Sequence, residues 1–143
     1  MSREYPERPI VGVGVVVWRE DRFLLIQRGK PPRRGSWSLP GGAQELGETV
    51  RETAAREIRE ETGVEIEVRG LIDVFDTIAR DDDGRIRLQY TLIDFTAEWR
   101  SGTAVAGDDA MGVRWVGLDE IDDFNLWKET ARAIQMSAAS RCP

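Results

Sequence analysis

The segment from Gly42 to Val64, GAQELGETVRETAAREIREETGV, constrains the fold of this chain more than any other. Thr49 and Glu52 have the spacing of a capping box, in which each side chain satisfies a backbone N–H of the other residue at the start of a helix. Gly63 provides a stop, because glycine readily adopts the left-handed conformation that ends many helices. The segment therefore predicts an α-helix over residues 49–62.

Three glutamates of this helix are candidate metal ligands. Glu57, Glu60 and Glu61 lie at i, i+3 and i+4, so their carboxylates share one face and repel one another. A hard divalent ion offsets that repulsion, because Mg²⁺ prefers oxygen ligands and is often held by a few carboxylates and the phosphates of a substrate. The alternative is a solvated acidic face on which Arg56 forms i,i+4 pairs with Glu52 and Glu60. The glycines and the further glutamate that flank the helix favour the metal site.

A glycine turn, Leu39-Pro40-Gly41-Gly42, precedes the helix. Glycine lets the backbone approach a ligand closely, so the turn can supply the other half of a phosphate site. By itself the turn is a weak signal, because most such sequences are ordinary turns. Beside three carboxylates it predicts a phosphate-containing substrate.

The whole segment resembles the Nudix box. The pattern of that family is a glycine, five residues, a glutamate, seven residues and then Arg-Glu-aliphatic-x-Glu-Glu-x-Gly-aliphatic. Its defined positions are matched by Gly42, Glu48, Arg56, Glu57, Ile58, Glu60, Glu61, Gly63 and Val64. Residues 37–42, WSLPGG, are similar to the loop that commonly leads into the box.

The resemblance implies a role for each of these charged residues. Arg56 would pair with Glu48 and orient Glu57, which makes Glu48 and Arg56 the supporting pair. The implied metal ligands, three of which would also be catalytic, are Glu57, Glu60, Glu61 and Gly42.

Composition narrows the chemistry further. The 143 residues predict one domain, over residues 1–143. Histidine is absent, which excludes Ser-His-Asp and Cys-His mechanisms and leaves a carboxylate, Lys or Tyr as the base. Cys142 is the only cysteine, so neither an internal disulfide nor a cysteine-ligated zinc site is expected.

Charge and hydropathy indicate the kind of partner. A net charge of −6 argues against a broad nucleic-acid surface. No apolar run is long enough to span a bilayer, and the first residues lack the features of a secretory signal. We therefore expect a cytoplasmic protein whose partner is a small nucleotide, with neither nucleic acid nor membrane bound, and a homodimer stays open.

The order of the remaining elements predicts an α+β fold. Strands, a helix, further strands and a second helix describe a mixed β-sheet between helices, which resembles the Nudix α/β/α sandwich. The expected strands are residues 10–18, 23–27, 65–78, 86–99 and 113–116, and the expected helices are residues 49–62 and 125–139.

Four residues outside the box are candidates for contacts with the substrate. Arg28 follows the second strand, where many Nudix proteins keep a phosphate-facing arginine, and the alternative is a solvated strand end. Arg33 lies in the Pro/Gly/Arg loop over residues 30–36. Trp37 and Tyr90 offer rings that could stack on a base, although aromatic residues near strands pack in cores at least as often.

The resemblance also implies a second acidic element after the box, which serves as a further metal ligand or as the base that activates water. Asp109 is the candidate for this catalytic role, with Asp108 beside it. Glu98 competes for the same role. The alternative reading is a solvated Asp-Asp turn.

Together, the residues and the resemblance predict a Mg²⁺-dependent hydrolase, with Mn²⁺ as an alternative ion, that cleaves the pyrophosphate bond of a nucleoside diphosphate linked to another group. Residues 89–99 and 107–115 look like segments of bacterial ADP-ribose pyrophosphatases, so ADP-ribose or a related nucleotide sugar is expected first. Two departures leave the substrate open. No proline lies between residues 40 and 143, where many such enzymes carry one, and residues 71–83 lack the tyrosine marker of dinucleoside polyphosphate hydrolases. A nucleoside triphosphate is the second expectation, and a non-catalytic nucleotide sensor is the third.

Overall fold

A computed structural model describes residues 3–30 and 33–141. Cys142 and two residues of the predicted loop at 30–36 therefore lie outside the described residues. The elements, in chain order, are β1 (Ile10–Arg19), β2 (Arg22–Arg28), β3 (Trp37–Ser38), β4 (Gly41–Ala43), α1 (Val50–Thr62), β5 (Glu65–Arg80), β6 (Ile86–Ser101), β7 (Ala110–Gly117), a 3₁₀ helix (Leu118–Phe124) and α2 (Lys128–Arg141). The predicted α+β fold, a mixed sheet between helices, is confirmed.

Strand β1 organises the sheet. It runs parallel to β6 from Ile10, opposite Tyr90, to Trp18, opposite Glu98. On its other side it pairs with β2 only at the turn that joins them, and further along with the short strand β4. The described strands form one sheet with the order β3-β2-β1-β6-β5, to which β4 adds beside β1 and β7 beside β2. Because β1 and β2 separate, β4 can bring the glycine turn next to the central strand.

Alternation along β1 separates two hydrophobic cores, one on each face of the sheet. The first core holds α1 and contains Val13, Val15, Val17, Leu24, Ala54, Ile58, Val64, Phe95 and Ala97. The second holds α2 and contains Val16, Trp18, Phe23, Leu25, Val116, Phe124 and Ile134. Full burial of one such large apolar side chain contributes about 1.5–3 kcal/mol, so both helices are fixed chiefly by these contacts.

Two short strands, β3 and β4, were not among the predicted elements, and the other differences lie at the ends of elements. β5 and β6 extend the predicted strands into one long antiparallel hairpin. The 3₁₀ helix follows β7, and α2 begins at Lys128 instead of residue 125. The physical reason is Asn125, whose left-handed backbone (φ 50°) ends the 3₁₀ helix and interrupts the path into α2. Within the described residues, no helix is both long and apolar enough to cross a membrane.

Candidate active site

Helix α1 starts and stops at the predicted signals. The Thr49 hydroxyl accepts a hydrogen bond from the Glu52 N–H at 3.1 Å, and the Thr49 N–H donates to Glu52 Oε1 at 2.9 Å. Gly63 ends the helix with φ 76°, and its N–H donates to the Arg59 carbonyl. Of the two i,i+4 pairs in the alternative of a solvated acidic face, Arg56 with Glu60 is present, whereas Glu52 completes the capping box instead.

The guanidinium group of Arg56 joins the helix to the glycine turn. Its Nε and Nη2 donate to the two carboxylate oxygens of Glu48 at 2.6 and 3.0 Å, and Nη2 also donates to the Ala43 carbonyl at 3.1 Å. Its Nη1 donates to Glu57 at 2.7 Å and to Glu60 at 3.0 Å. All five N–H groups of this arginine therefore have a partner. The geometry is the supporting arrangement that the box resemblance implies for Arg56 and Glu48.

Glu48 is saturated with hydrogen-bond donors. Besides the Arg56 contacts, its Oε1 accepts from the Thr53 hydroxyl at 2.7 Å and from the Glu45 N–H at 3.0 Å. The Arg56 guanidinium, followed by the Glu45 N–H and the Thr53 hydroxyl, lowers the pKa of Glu48 to about 2. Glu48 is therefore ionised throughout the physiological pH range, and its hydrogen bonds stabilise the start of α1.

The glycine turn seats two of the predicted metal ligands. The Gly41 N–H donates to Glu61 Oε2 at 2.9 Å. The Glu57 carboxylate lies so close to Gly42 that any Cβ at position 42 would overlap it, and a Cβ at position 41 would overlap the Val13 carbonyl oxygen. Gly41 is therefore required by the close approach of the Val13 backbone, and Gly42 leaves the space that the Glu57 carboxylate occupies.

Glu61 has a pKa that is shifted in the opposite direction to that of Glu48. Burial raises its pKa to about 7, and the neighbouring charges of Glu57 and Asp109 act in the same direction. The Gly41 N–H and the more distant Arg28 guanidinium oppose the rise of the Glu61 pKa only in part. A bound cation would reverse this shift, because an adjacent positive charge favours the ionised carboxylate.

The loop between β6 and β7 packs against the end of α1. The Gly107 N–H donates to the Glu61 carbonyl and the Val105 N–H to the Thr62 carbonyl, both at 2.9 Å. These contacts satisfy carbonyl groups that the last turn of a helix leaves without intrahelical partners. A Cβ at Gly107 would lie 2.9 Å from the Glu61 carbonyl oxygen, so this approach also depends on glycine. The loop thus carries Asp108 and Asp109 towards Glu61.

Asp109 is anchored to the end of β2. Its carbonyl accepts a hydrogen bond from the Gly29 N–H at 2.9 Å, and its carboxylate forms an ion pair with Lys30 at 2.6 Å. Lys30 lowers the pKa of Asp109, with a smaller contribution from Arg28. Arg28 acts electrostatically on both Asp109 and Glu61, which places the predicted phosphate-facing arginine at the same edge of the site.

The donor set fits a hard divalent cation. Glu57, Glu60 and Glu61 offer only oxygen donors, and Gly42 leaves room that a side chain would fill. Within the described residues, no three carboxylates lie close enough together to bind one metal ion. Instead, Glu57 and Glu60 are held by Arg56, and Glu61 is held by Gly41.

Comparison with known proteins decides what this arrangement is. The NUDIX domain model matches residues 8–137 of the chain. The chain belongs to the Nudix family. It is 36% identical to an ADP-ribose pyrophosphatase of Methanocaldococcus jannaschii, over 84% of this chain and 75% of that protein. It is 32% identical to the phosphatase NudJ of Escherichia coli, over 94% of this chain and 83% of NudJ.

Solved structures give the same result. The crystal structure of a MutT NUDIX hydrolase from Burkholderia pseudomallei superposes with a TM-score of 0.78 at 32% sequence identity, covering 91% of this chain and 98% of that chain. The protein is therefore a Nudix hydrolase, an enzyme class that cleaves pyrophosphate bonds. Hydrolases of this family generally use divalent metal ions.

The other three substrate candidates lie in different local surroundings. Trp37 is half-buried on the α2 side of the sheet, with its ring edge-on to Phe124 at 5.3 Å. Tyr90, in β6, is also partly buried and lies beside Gly12. Arg33 is exposed in a short turn that Ser36 closes by donating to its carbonyl. Of the four Nudix candidates outside the box, Arg28 alone is placed in the electrostatic field of Glu61.

Glu98, the competitor for the role of the second acid, is engaged elsewhere. Its carboxylate accepts two hydrogen bonds from Arg141, at 2.8 and 3.1 Å, near the end of α2. The ion pair occupies both carboxylate oxygens on the α2 side of the sheet. This geometry favours Asp109 over Glu98 as the additional acidic residue of the Nudix site.

Two contributors to the site were missed by sequence reasoning. Thr53 is fully buried and donates to Glu48, and its only sequence signal is a hydroxyl on the apolar face of a predicted helix. Lys30 meets Asp109 only because β2 pairs with β7. That contact depends on strand pairing between distant parts of the chain, which no local spacing indicates.

Proposed function

We propose that this Nudix hydrolase cleaves the pyrophosphate bond of ADP-ribose or a related nucleotide sugar, with Mg²⁺ as its preferred ion and Mn²⁺ as an effective substitute. The main support is that the Glu57 carboxylate lies against Gly42 and that Glu61 accepts a hydrogen bond from the Gly41 N–H. This arrangement puts carboxylates and accessible backbone side by side, which is what a metal-bridged diphosphate requires.

In this proposal Glu57, Glu60 and Glu61 hold the ion, together with the backbone at Gly42. A bound divalent ion would neutralise charge on the diphosphate and make an attacking water more acidic. Arg56 supports the site by fixing the Glu57 carboxylate, as its 2.7 Å hydrogen bond indicates.

Two further residues act on the substrate side of the same edge. Arg28 faces the diphosphate, because its charge already reaches Glu61 and Asp109. Asp109 takes the proton from the attacking water once the substrate phosphates draw Lys30 away from its carboxylate. Arg33, Trp37 and Tyr90 are proposed to contact the remainder of the substrate.

The identity of the substrate is supported by similarity to the Methanocaldococcus ADP-ribose pyrophosphatase. A nucleoside triphosphate is the second candidate substrate. A sensor without turnover is disfavoured, because every charged position of the box is present.

A hydrolysis screen tests the proposal. ADP-ribose and other nucleotide sugars are incubated with the protein and alkaline phosphatase, which releases phosphate only after the pyrophosphate bond is cut. Triphosphates are assayed with inorganic pyrophosphatase instead, because alkaline phosphatase attacks them directly. Each substrate is tested with Mg²⁺, with Mn²⁺ and with excess EDTA.

We expect the fastest turnover with ADP-ribose and Mg²⁺, and none with EDTA. Preferential cleavage of triphosphates would replace the first candidate with the second. Turnover that survives EDTA would contradict metal dependence, and a protein that binds nucleotides but cleaves none of them would restore the sensor interpretation.

A further inference from the structure

The α2 side of the sheet contains a shallow strip beside the candidate active site. Gly12 and Gly14 of β1 point to this side, as the alternation with Val16 and Trp18 shows. Gly12 is buried beside the Leu92 and Tyr90 side chains, whereas Gly14 is partly exposed, with Asp94 on one side and Leu39 on the other. We call the strip at Gly14, between Asp94 and Leu39, the β1 groove.

One wall of the β1 groove contains a carboxylate. Asp94 lies opposite Gly14 in the parallel pairing of β1 and β6, and a Cβ at position 14 would lie 2.5 Å from Asp94 Oδ1. Among the described residues, no side chain donates a hydrogen bond to Asp94 or forms an ion pair with it. Arg132 of α2 approaches Asp73 on the neighbouring strand, at 3.9 Å.

The electrostatic state of Asp94 matches this isolation. Burial raises its pKa to about 6, Asp73 adds to the rise, and the backbone of Gly14 opposes it. On the same face of the hairpin, the hydroxyl of Thr77 is buried without a hydrogen-bond partner. Because buried polar groups are nearly always satisfied, these acceptors suit a ligand that brings its own donors.

The opposite wall of the β1 groove is apolar. A Cβ at Gly14 would lie 3.9 Å from the Leu39 side chain, and Leu39 and Trp37 both pack at the margin of the second core. An apolar and aromatic wall facing a hydrogen-bond acceptor fits a flat heteroaromatic ring that carries N–H groups.

The β1 groove is also at a suitable distance from the box carboxylates. Asp94, Gly14 and Gly41 are aligned in one row across β6, β1 and β4. Neighbouring strands are spaced at about 4.8 Å, so Asp94 lies about 10 Å from the turn whose N–H holds Glu61. A nucleoside diphosphate spans about this distance between the amino group of its base and its phosphates, whereas its ribose hydroxyls lie closer to the phosphates.

We propose that Asp94 is a specificity-determining residue that accepts a hydrogen bond from the amino group of the substrate's nucleobase in the β1 groove. The inference rests on the proposed function, because it assigns the base of the same nucleotide substrate. A hydrogen bond to Asp94 selects bases with an exocyclic amino group, such as adenine, over bases with a carbonyl oxygen at that position, such as hypoxanthine.

Calorimetric binding of AMP and IMP to the full chain tests this assignment without requiring turnover. The unmodified protein should bind AMP on the order of 10-fold more tightly than IMP, since a carbonyl oxygen would face the Asp94 carboxylate without a hydrogen. Asp94→Asn should remove or invert the preference, because the amide of asparagine can donate to that oxygen. Asp76→Asn is the matched control, since Asp76 is exposed on the opposite face of the same hairpin.

Steady-state assays with ADP-ribose and its hypoxanthine analogue provide a second readout. Asp94→Asn should raise KM for ADP-ribose about 10-fold with little change in kcat, and lower KM for the analogue. Gly14→Ala should raise KM for both, because its methyl group occupies the groove. If Asp94→Asn left the ratio of the AMP and IMP affinities unchanged, the proposal would be overturned even if the protein cleaves ADP-ribose. If the ratio changed but the protein cleaved no substrate, the role of Asp94 in base recognition would stand and the proposed reaction would be refuted.

Discussion

The two ends of α1 hold carboxylates in opposite electrostatic states. At its start, Glu48 accepts hydrogen bonds from Arg56, Thr53 and Glu45, and its pKa falls to about 2. At its end, burial raises the pKa of Glu61 to about 7, and the Gly41 N–H and the Arg28 charge oppose that rise only in part. One helix thus presents a fully compensated carboxylate and a largely uncompensated one.

The contrast separates structure from chemistry within the Nudix box. Glu48, whose two carboxylate oxygens already accept hydrogen bonds from Arg56, Thr53 and Glu45, gains little from a metal ion, and removing its main partner mainly harms the fold. A buried carboxylate without a cation is destabilising when ionised, and it gains most from an ion that arrives with the substrate. The predictions below test this division, beginning with the largest effect.

Neutralising any one of the three proposed metal ligands should abolish most activity. We expect Glu57→Gln, Glu60→Gln and Glu61→Gln each to lower kcat by about 100-fold or more in the presence of Mg²⁺, because each removes one charge from the ion site and little packing. Glu52→Gln on the same helix is the control, since glutamine also completes a capping box. A variant with an unchanged rate would remove that residue from the ligand set.

Asp109→Asn should have the next largest effect, on the order of 10-fold or more in kcat with a smaller change in KM, because the amide cannot accept the proton of the attacking water. Asp108→Asn should do less, since Asp108 lacks the Lys30 contact that fixes the position of its neighbour. The reverse ordering, or a large effect confined to Glu98→Gln, would move the role to another carboxylate.

Truncating Arg56 should act mainly on stability. Arg56→Ala leaves Glu48 without its main partner and removes the hydrogen bond to the Ala43 carbonyl, so we expect Tm to fall by roughly 10 °C. Thermal unfolding of Arg51→Ala, which removes an exposed arginine from the same helix, provides the control. If both Tm and turnover were unchanged in Arg56→Ala, the compensated end of α1 would have no supporting function.

Local spacing was sufficient to predict α1 and its carboxylates. The helical period alone places Glu57, Glu60 and Glu61 together, and the capping box and Gly63 fix the two ends. The spacing of Glu52 fits both a capping box and an i,i+4 pair with Arg56, and in the structure Glu52 forms the capping box. Asn125 illustrates a second limit, since its left-handed backbone delays α2 without any change in the pattern of apolar residues.

The surroundings of the box could not be predicted in the same way. Lys30 meets Asp109 through the pairing of β2 with β7, and Asp94 meets Gly14 through the register of β1 with β6. A shift of one residue in either pairing would turn these side chains to the opposite face. Such contacts become visible only when the sheet is assembled, so the sequence indicated the ion site more fully than the base site.

The smallest expected effect is a pH dependence of the metal-free protein that has opposite signs at the two ends of α1. The folded-state pKa of Glu61 is raised from 4.5 to about 7, so this residue costs no stability below pH 4.5, progressively more as pH rises towards 7, and a constant amount above. Glu48 has a folded-state pKa lowered from 4.5 to about 2, so its contribution to folding stability is complete above pH 4.5 and is lost as pH falls through 2.

Thermal unfolding in EDTA should therefore show Glu61→Gln more stable than the unmodified protein by about 5 °C at pH 8 and indistinguishable from it at pH 4.5. Saturating Mg²⁺ at pH 8 should reverse that order, because the ion stabilises the form with the ionised carboxylate and the glutamine variant binds it more weakly. A Glu61→Gln variant less stable than the unmodified protein at pH 8 in EDTA would show that Glu61, like Glu48, is held for the fold.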